Sequence, residues 1–115
     1  MKRSEAFPSR YMSKDDVVTP ITIVIDTVRF DTIKGDAGDE DKPVMYFRDG
    51  VKPMILNNTN WMTIEDAYGP ESDDWGGKMI EAYLDPGVMF GGKRVGGVRV
   101  RIPKGAPKMT LEQAN

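Results

Sequence analysis

Apolar and polar residues alternate at period two over most of this chain, and a helical period appears in one place only. In residues 17–30, VVTPITIVIDTVRF, Ile21, Ile23 and Ile25 share one face while Thr22, Val24 and Asp26 share the other, which predicts a long strand, apolar on both sides at its centre. Residues 34–42, KGDAGDEDK, carry no period and read as a Gly/Asp loop. PVMYFRDGVKPMIL then gives two apolar runs joined at Asp49-Gly50, a hairpin signal with strands over 43–49 and 51–56. Pro53 has no N–H to donate to a ladder, so the second run needs an edge or a bulge there. Ile80, Ala82 and Leu84 alternate with Met79, Glu81 and Tyr83, predicting a half-buried strand over 78–85. Val98, Val100 and Ile102 alternate with Arg99 and Arg101 in a strand over 94–102, and Gly96-Gly97 marks a bulge or a sharp corner.

The exception falls at residues 58–68. Asn57, Asn58 or Thr59 can accept from the free N–H groups of a first helical turn. Trp61, Ile64 and Tyr68 follow at spacings of three and four and make one apolar stripe. Gly69 supplies a left-handed stop and Pro70 prevents continuation. The order is three strands, one helix, two strands. That is the order of a mostly β, five-stranded OB-like Greek-key barrel, in which one short helix between strands 3 and 4 plugs the barrel's end. A β-sandwich or an SH3-like barrel is the alternative. The expected core is Ile23, Ile25, Leu56, Trp61, Ile64, Ile80, Leu84, Val98 and Val100. One barrel domain over 17–103 is expected, with flexible arms over 1–16 and 104–115.

Composition narrows the chemistry. The chain of 115 residues has no Cys and no His. A disulfide framework, a thiol nucleophile and the commonest general base and metal ligand are therefore missing, so a non-catalytic protein without metal or cofactor is expected. No apolar run is long enough to span a bilayer, and the basic N-terminus is not followed by the apolar core of a secretory signal. The expectation is a cytoplasmic protein with no membrane partner. The net charge of −2 is uneven. Residues 31–41 and 65–74 are acidic, whereas residues 78–108 hold seven bases against two acids, an excess of five. Such asymmetry suggests a basic face, although an ordinary solvated mixed surface is an equal reading.

LNNTNWMTIEDAYG, followed by DDWGGKMIEAYL and then VMFGGKRVGGVRVR, resembles small proteins encoded by tailed phages and prophages. The shared pattern runs L-N-x-T-N, an amphipathic helix, D-W-x-G-K, a strand, then G-K and a Val/Ile/Arg strand, over about residues 43–102. The resemblance implies an OB-like fold and, for some members, a role around single-stranded DNA in replication or recombination in a bacterial host cell. It carries over no catalytic residue.

Single-strand binding needs cations along a groove and aromatic faces on which bases stack. The second predicted strand offers Tyr46, Phe47 and Arg48, the third Lys52, the link before the last strand Phe90, Lys93 and Arg94, and the last strand Arg99 and Arg101. Strand alternation sends one of Tyr46 and Phe47 into the core, and the sequence leaves open which. The candidate nucleic-acid-binding set is therefore Tyr46, Arg48, Lys52, Phe90, Lys93, Arg94, Arg99 and Arg101. Trp75 reads as a packing residue more than a stacking one. The acidic 36–41 stretch would repel phosphate. It lacks the ligand spacing of a calcium loop. GGKRVGG is not followed by a helix and is no phosphate-binding loop. The expected function is single-stranded DNA binding, with phage or host replication and recombination proteins, or further copies of the chain, as other partners. A docking or structural module without nucleic acid is the alternative.

Overall fold

The alternating run after residue 20 forms β1 (Ile21–Gly35), which turns directly into β2 (Gly38–Phe47). The computed structural model describes residues 1, 10–35 and 37–104. The stretch expected to be an acidic loop is thus strand almost to its tip. Gly35 pairs with Gly38, Ile33 with Glu40 and Asp31 with Lys42. Gly38 adopts φ 117°, a value that favours glycine and lets the chain reverse there. Asp36 lies outside the described residues.

β1 serves two neighbours. Ile21–Val24 pair with β4 (Met79–Asp85), and Ile25–Gly35 pair with β2. The register slips between Ile25 and Thr27, leaving Asp26 as an extra residue. A bulge of this kind bends a strand and lets it pass from one partner to the next. At the same point Gly77 N–H donates to Ile25 O at 2.8 Å, and Ile25 N–H donates to Lys78 O at 2.9 Å.

β3 is reduced to Met54–Ile55, paired with Val44 and Met45 of β2. The Asp49-Gly50 turn does not join the strands directly. Asp49 instead accepts from Val24 N–H at 2.8 Å, and a six-residue connection, 48–53, separates β2 from β3. Pro53 has no donor, and its carbonyl is taken by Met12 N–H at 2.8 Å. After Ile55 the chain leaves for helix α1 (Asn58–Tyr68). A short hairpin, β5 (Met89–Phe90) with β6 (Lys93–Arg94), precedes the last strand, β7 (Gly97–Arg101).

The main sheet is antiparallel, with order β3-β2-β1-β4-β7. It does not close into the expected barrel, because no strand of the described residues joins β3 to β7. The cause is local: β3 is too short to offer a ladder, and α1 stands at the seam. Asn60, 2 % exposed, donates from Nδ2 to Val98 O at 3.1 Å, occupying part of the β7 edge. The helix therefore packs along β7 and does not plug a closed end.

The helix limits match the expected 58–68, for local reasons. Asn57 Oδ1 accepts from Asn60 N–H at 2.8 Å, and Gly69, at φ 99°, donates to Glu65 O at 2.8 Å. Ile64 and Tyr68 are buried, while Trp61 is half-buried and meets Trp75 edge-on with centroids 4.8 Å apart. Trp75 is fully buried and donates from Nε1 to Gly69 O at 2.9 Å, so it packs rather than stacks on a ligand. Ile23, Ile25, Leu56, Ile64, Ile80 and Val100 are core; Trp61, Leu84 and Val98 sit at its half-buried rim. Met45, Phe47, Met54 and Ala82 complete the centre. Before β1, residues 2–9 of the expected arm lie outside the described residues, but Met12 and Val17 are buried and Lys14–Val17 form a 3-10 turn. Residues 105–115 of the expected tail also lie outside them. No helix of the described residues is long and apolar enough to cross a membrane.

Candidate functional site

Phe47 is 8 % exposed and belongs to the core, which turns Tyr46 to the outward face of the sheet. The bulge at Asp26 decides what lies beside it. Thr27 pairs with Tyr46 and Arg29 with Val44, so Thr27, Arg29 and Asp31 share the outward face with Tyr46. The Arg29 guanidinium lies 4.1 Å from the Tyr46 ring centroid and 3.5 Å from Asp31, while the Tyr46 hydroxyl donates to Asp31. The Tyr46 hydroxyl, and then Asp31, hold the Arg29 guanidinium more firmly in its charged form than usual. One face of the Tyr46 ring is therefore already covered by a cation.

The same arrangement recurs at the other side of the sheet. Arg101 lies 4.4 Å over the Tyr83 ring and pairs with Glu81. Arg99 is opposite Tyr83 in the ladder, and Arg101 is opposite Glu81. Tyr46, Arg99 and Arg101 thus share the outward face, on strands separated by β1 and β4. Arg29 and Tyr83 belong to this surface although sequence reasoning omitted them. For Tyr83 the signal was present, since it alternates with the buried Ile80-Ala82 pair.

Arg48 and Lys52 lie apart from these, in the connection between β2 and β3. Arg48 is 3.6 Å from Asp26, and its guanidinium lies over Gly76 and Gly77. Lys52 is 3.4 Å from Asp16. The Ser13 backbone N–H, and then Lys52, hold the Asp16 carboxyl below the usual carboxylate range. Both pairs are solvent-accessible, and such pairs contribute about 0–1 kcal/mol.

Phe90, Lys93 and Arg94 come together on the β5–β6 hairpin, with Met89 opposite Arg94 and Phe90 opposite Lys93. Phe90 is 78 % exposed and Met89 55 %. Gly91 and Gly92, at φ 59° and 79°, make the turn between the two strands. Lys14 Nζ donates to Val95 O at 2.5 Å and adds a further cation at the hairpin's base. Among the described residues, Lys93, Arg94 and Arg99 have no carboxylate partner. The eight candidates therefore fall into an outward sheet face, a β2–β3 connection and a projecting hairpin, rather than one continuous groove. No group of three or more acidic side chains among the described residues converges to hold a metal ion.

Comparison with protein-family models, with curated proteins and with solved structures finds no match to this chain.

Proposed function

We propose that this chain is a non-catalytic binding module for single-stranded DNA in a phage-type replication or recombination system, built on an OB-like plan. The observation that carries the reading is the β5–β6 hairpin: an aromatic ring with most of its surface in water stands opposite Lys93, and Arg94 follows on the other face, neither cation having a carboxylate partner among the described residues. Bases stack on such a ring for about 1–3 kcal/mol each, with little regard to sequence. The strand order supports the OB-like plan. The order β3-β2-β1-β4-β7 is that of an OB barrel opened at a single seam, with the helix in the link between the third and fourth strands of the sheet. In that plan the β5–β6 hairpin occupies the loop that bounds the ligand groove, and the acidic β1–β2 hairpin is the loop facing it.

The test is fluorescence anisotropy with labelled oligo-dT and a duplex control at two salt concentrations. With Lys93, Arg94 and Arg99 engaged, the slope of log affinity against log salt lies near about −2, at about −0.7 per phosphate. Phe90→Ala lowers affinity about tenfold or more, and Lys93→Glu with Arg94→Glu removes binding. Flat anisotropy on folded protein at low salt would end this reading. The second reading, a docking module, is favoured by the apolar exposure of Met89, Phe90 and Val95 on the same hairpin. Duplex and single strand binding alike would instead mean phosphate contacts without stacking, because a stacking site needs unpaired bases.

A further inference from the structure

We propose that the β5–β6 hairpin of one copy of this chain docks on a second copy, in the shallow apolar depression between the β1–β2 hairpin and helix α1. The depression is lined by Pro43, Leu56 and Trp61, with Asn57 and Asn58 at its edge. Two large apolar side chains extend it. Phe30, opposite Pro43 in the ladder and therefore on the same face, is 74 % exposed, and Met62, whose sulfur accepts from Nδ2 of the edge residue Asn58 at 3.5 Å, is 53 % exposed. A small chain rarely leaves such residues clustered around a depression without something to cover them.

Charge selects the occupant. Asp41 is opposite Thr32 on the same face of the β1–β2 hairpin as Phe30 and Pro43, and Thr32 Oγ1 donates to it at 2.7 Å. Glu65 Oε1 accepts from Nε1 of the lining Trp61 at 3.1 Å, and Asp66 lies one helical turn beyond Met62. The depression is thus an apolar floor in an acidic rim. The β5–β6 hairpin is its complement: each of its faces pairs an exposed apolar residue with a cation that has no carboxylate partner among the described residues, Phe90 with Lys93 and Met89 with Arg94. Both halves are present on every copy and no described residue covers either, so a second copy supplies what each half lacks. The contact is heterologous, hairpin to depression, whether two copies reciprocate it or many repeat it. A hairpin tip covers far less than the ~1,200 Å² of a standard interface, so the association is weak and salt-sensitive. This inference does not rest on DNA binding.

Sedimentation velocity between about 20 µM and about 1 mM, the span in which small interfaces populate, reads the association directly. The wild-type coefficient rises with concentration and falls back at high salt. Lys93→Glu with Arg94→Glu loses the rise, because an acidic hairpin then meets an acidic rim. Asp41→Lys with Asp66→Lys loses it for the opposite reason. An equimolar mixture of the two variants regains it, and so does one chain carrying all four changes. Phe90→Ser, at an exposed position, loses it without touching the core and serves if a charge variant fails to fold. A wild-type coefficient that stays flat overturns the proposal. So does an associating wild type whose two reversed variants remain apart when mixed. The four-fold variant separates this from the DNA-binding reading, since it keeps self-association while losing oligo-dT.

Discussion

Removing one oxygen at Tyr68 tests how α1 is fastened to the sheet. Tyr68 is fully buried at the end of the helix, and its hydroxyl donates to Met79 O, the first residue of β4, at 2.5 Å. Tyr68→Phe keeps the ring and its packing. It deletes a hydrogen bond worth about 1 kcal/mol net and leaves a carbonyl short of a partner, for an expected loss of about 1–2 kcal/mol at neutral pH. Burial raises the Tyr68 pKa above its ordinary value of about 10. The sign follows from proton counting. Above pH ~10 the unfolded tyrosine gives up its proton while the folded one keeps it, so the unfolded state binds fewer protons and stability falls as pH rises.

Each pH unit in that window costs about 1.4 kcal/mol, a term that Tyr68→Phe lacks. The other tyrosines are common to both proteins and cancel in the difference. The variant is therefore the less stable protein at pH 7, and the gap narrows as pH rises above about 10. Urea titrations of both proteins at pH 7, 10 and 11 measure this. A gap that stays constant across those three values would mean that the Tyr68 hydroxyl ionises as freely in the fold as outside it, and would refute the buried donor.

The neighbouring positions grade the same contact. Ile64→Ala, at a fully buried site, should cost about 2–5 kcal/mol in the same titration. Thr63 is half-buried and donates to Thr59 O at 3.1 Å, but alanine's better helix propensity offsets that bond, so Thr63→Ala should stay within about 0.5 kcal/mol. Asn57→Ala removes the acceptor of Asn60 N–H and should lower stability by about 0.5–2 kcal/mol, with Asn57→Ser restoring most of it.

The helix was legible because everything that defines it is local: a cap, three apolar residues at helical spacing and a glycine stop all lie within 13 residues, 57–69. The strands were legible where one face is buried, as at Ile80 and Ala82. They were not legible over 34–42, where both faces of the β1–β2 hairpin are mostly exposed and no alternation exists to be read. The barrel expectation failed at the seam, where β3 is two residues long and Asn60 reaches Val98, a contact 38 residues apart. At the candidate site, Arg29 was missed because Asp26 is a bulge residue. Continuing the alternation from Ile21, Ile23 and Ile25 puts Thr27 and Arg29 inside; the extra residue reverses the faces, so that Val28 points in and Arg29 points out over Tyr46. Tyr46 and Phe47 could be told apart only once that register was set.

The two proposals use one hairpin, and this gives them a shared consequence. Phe90, Lys93 and Arg94 cannot stack and pair with a DNA strand while they are seated on a second copy. Each ligand then lowers the affinity for the other, and thermodynamic linkage requires the two factors to be equal. A short oligo-dT added to a concentrated sample should therefore lower the sedimentation coefficient toward that of a single copy with its bound strand. Dilution, which frees the hairpin, should raise the apparent affinity measured by anisotropy. Salt separates the two arms only weakly, because both rely on the same cations. Asp41→Lys with Asp66→Lys separates them cleanly: it strips the depression's rim of the negative charge a partner needs, so the hairpin is always free and DNA affinity no longer depends on protein concentration. An oligonucleotide that raises the coefficient by more than its own mass accounts for, in the wild type, would show strand and second copy bound together and would remove the hairpin from one of the two roles.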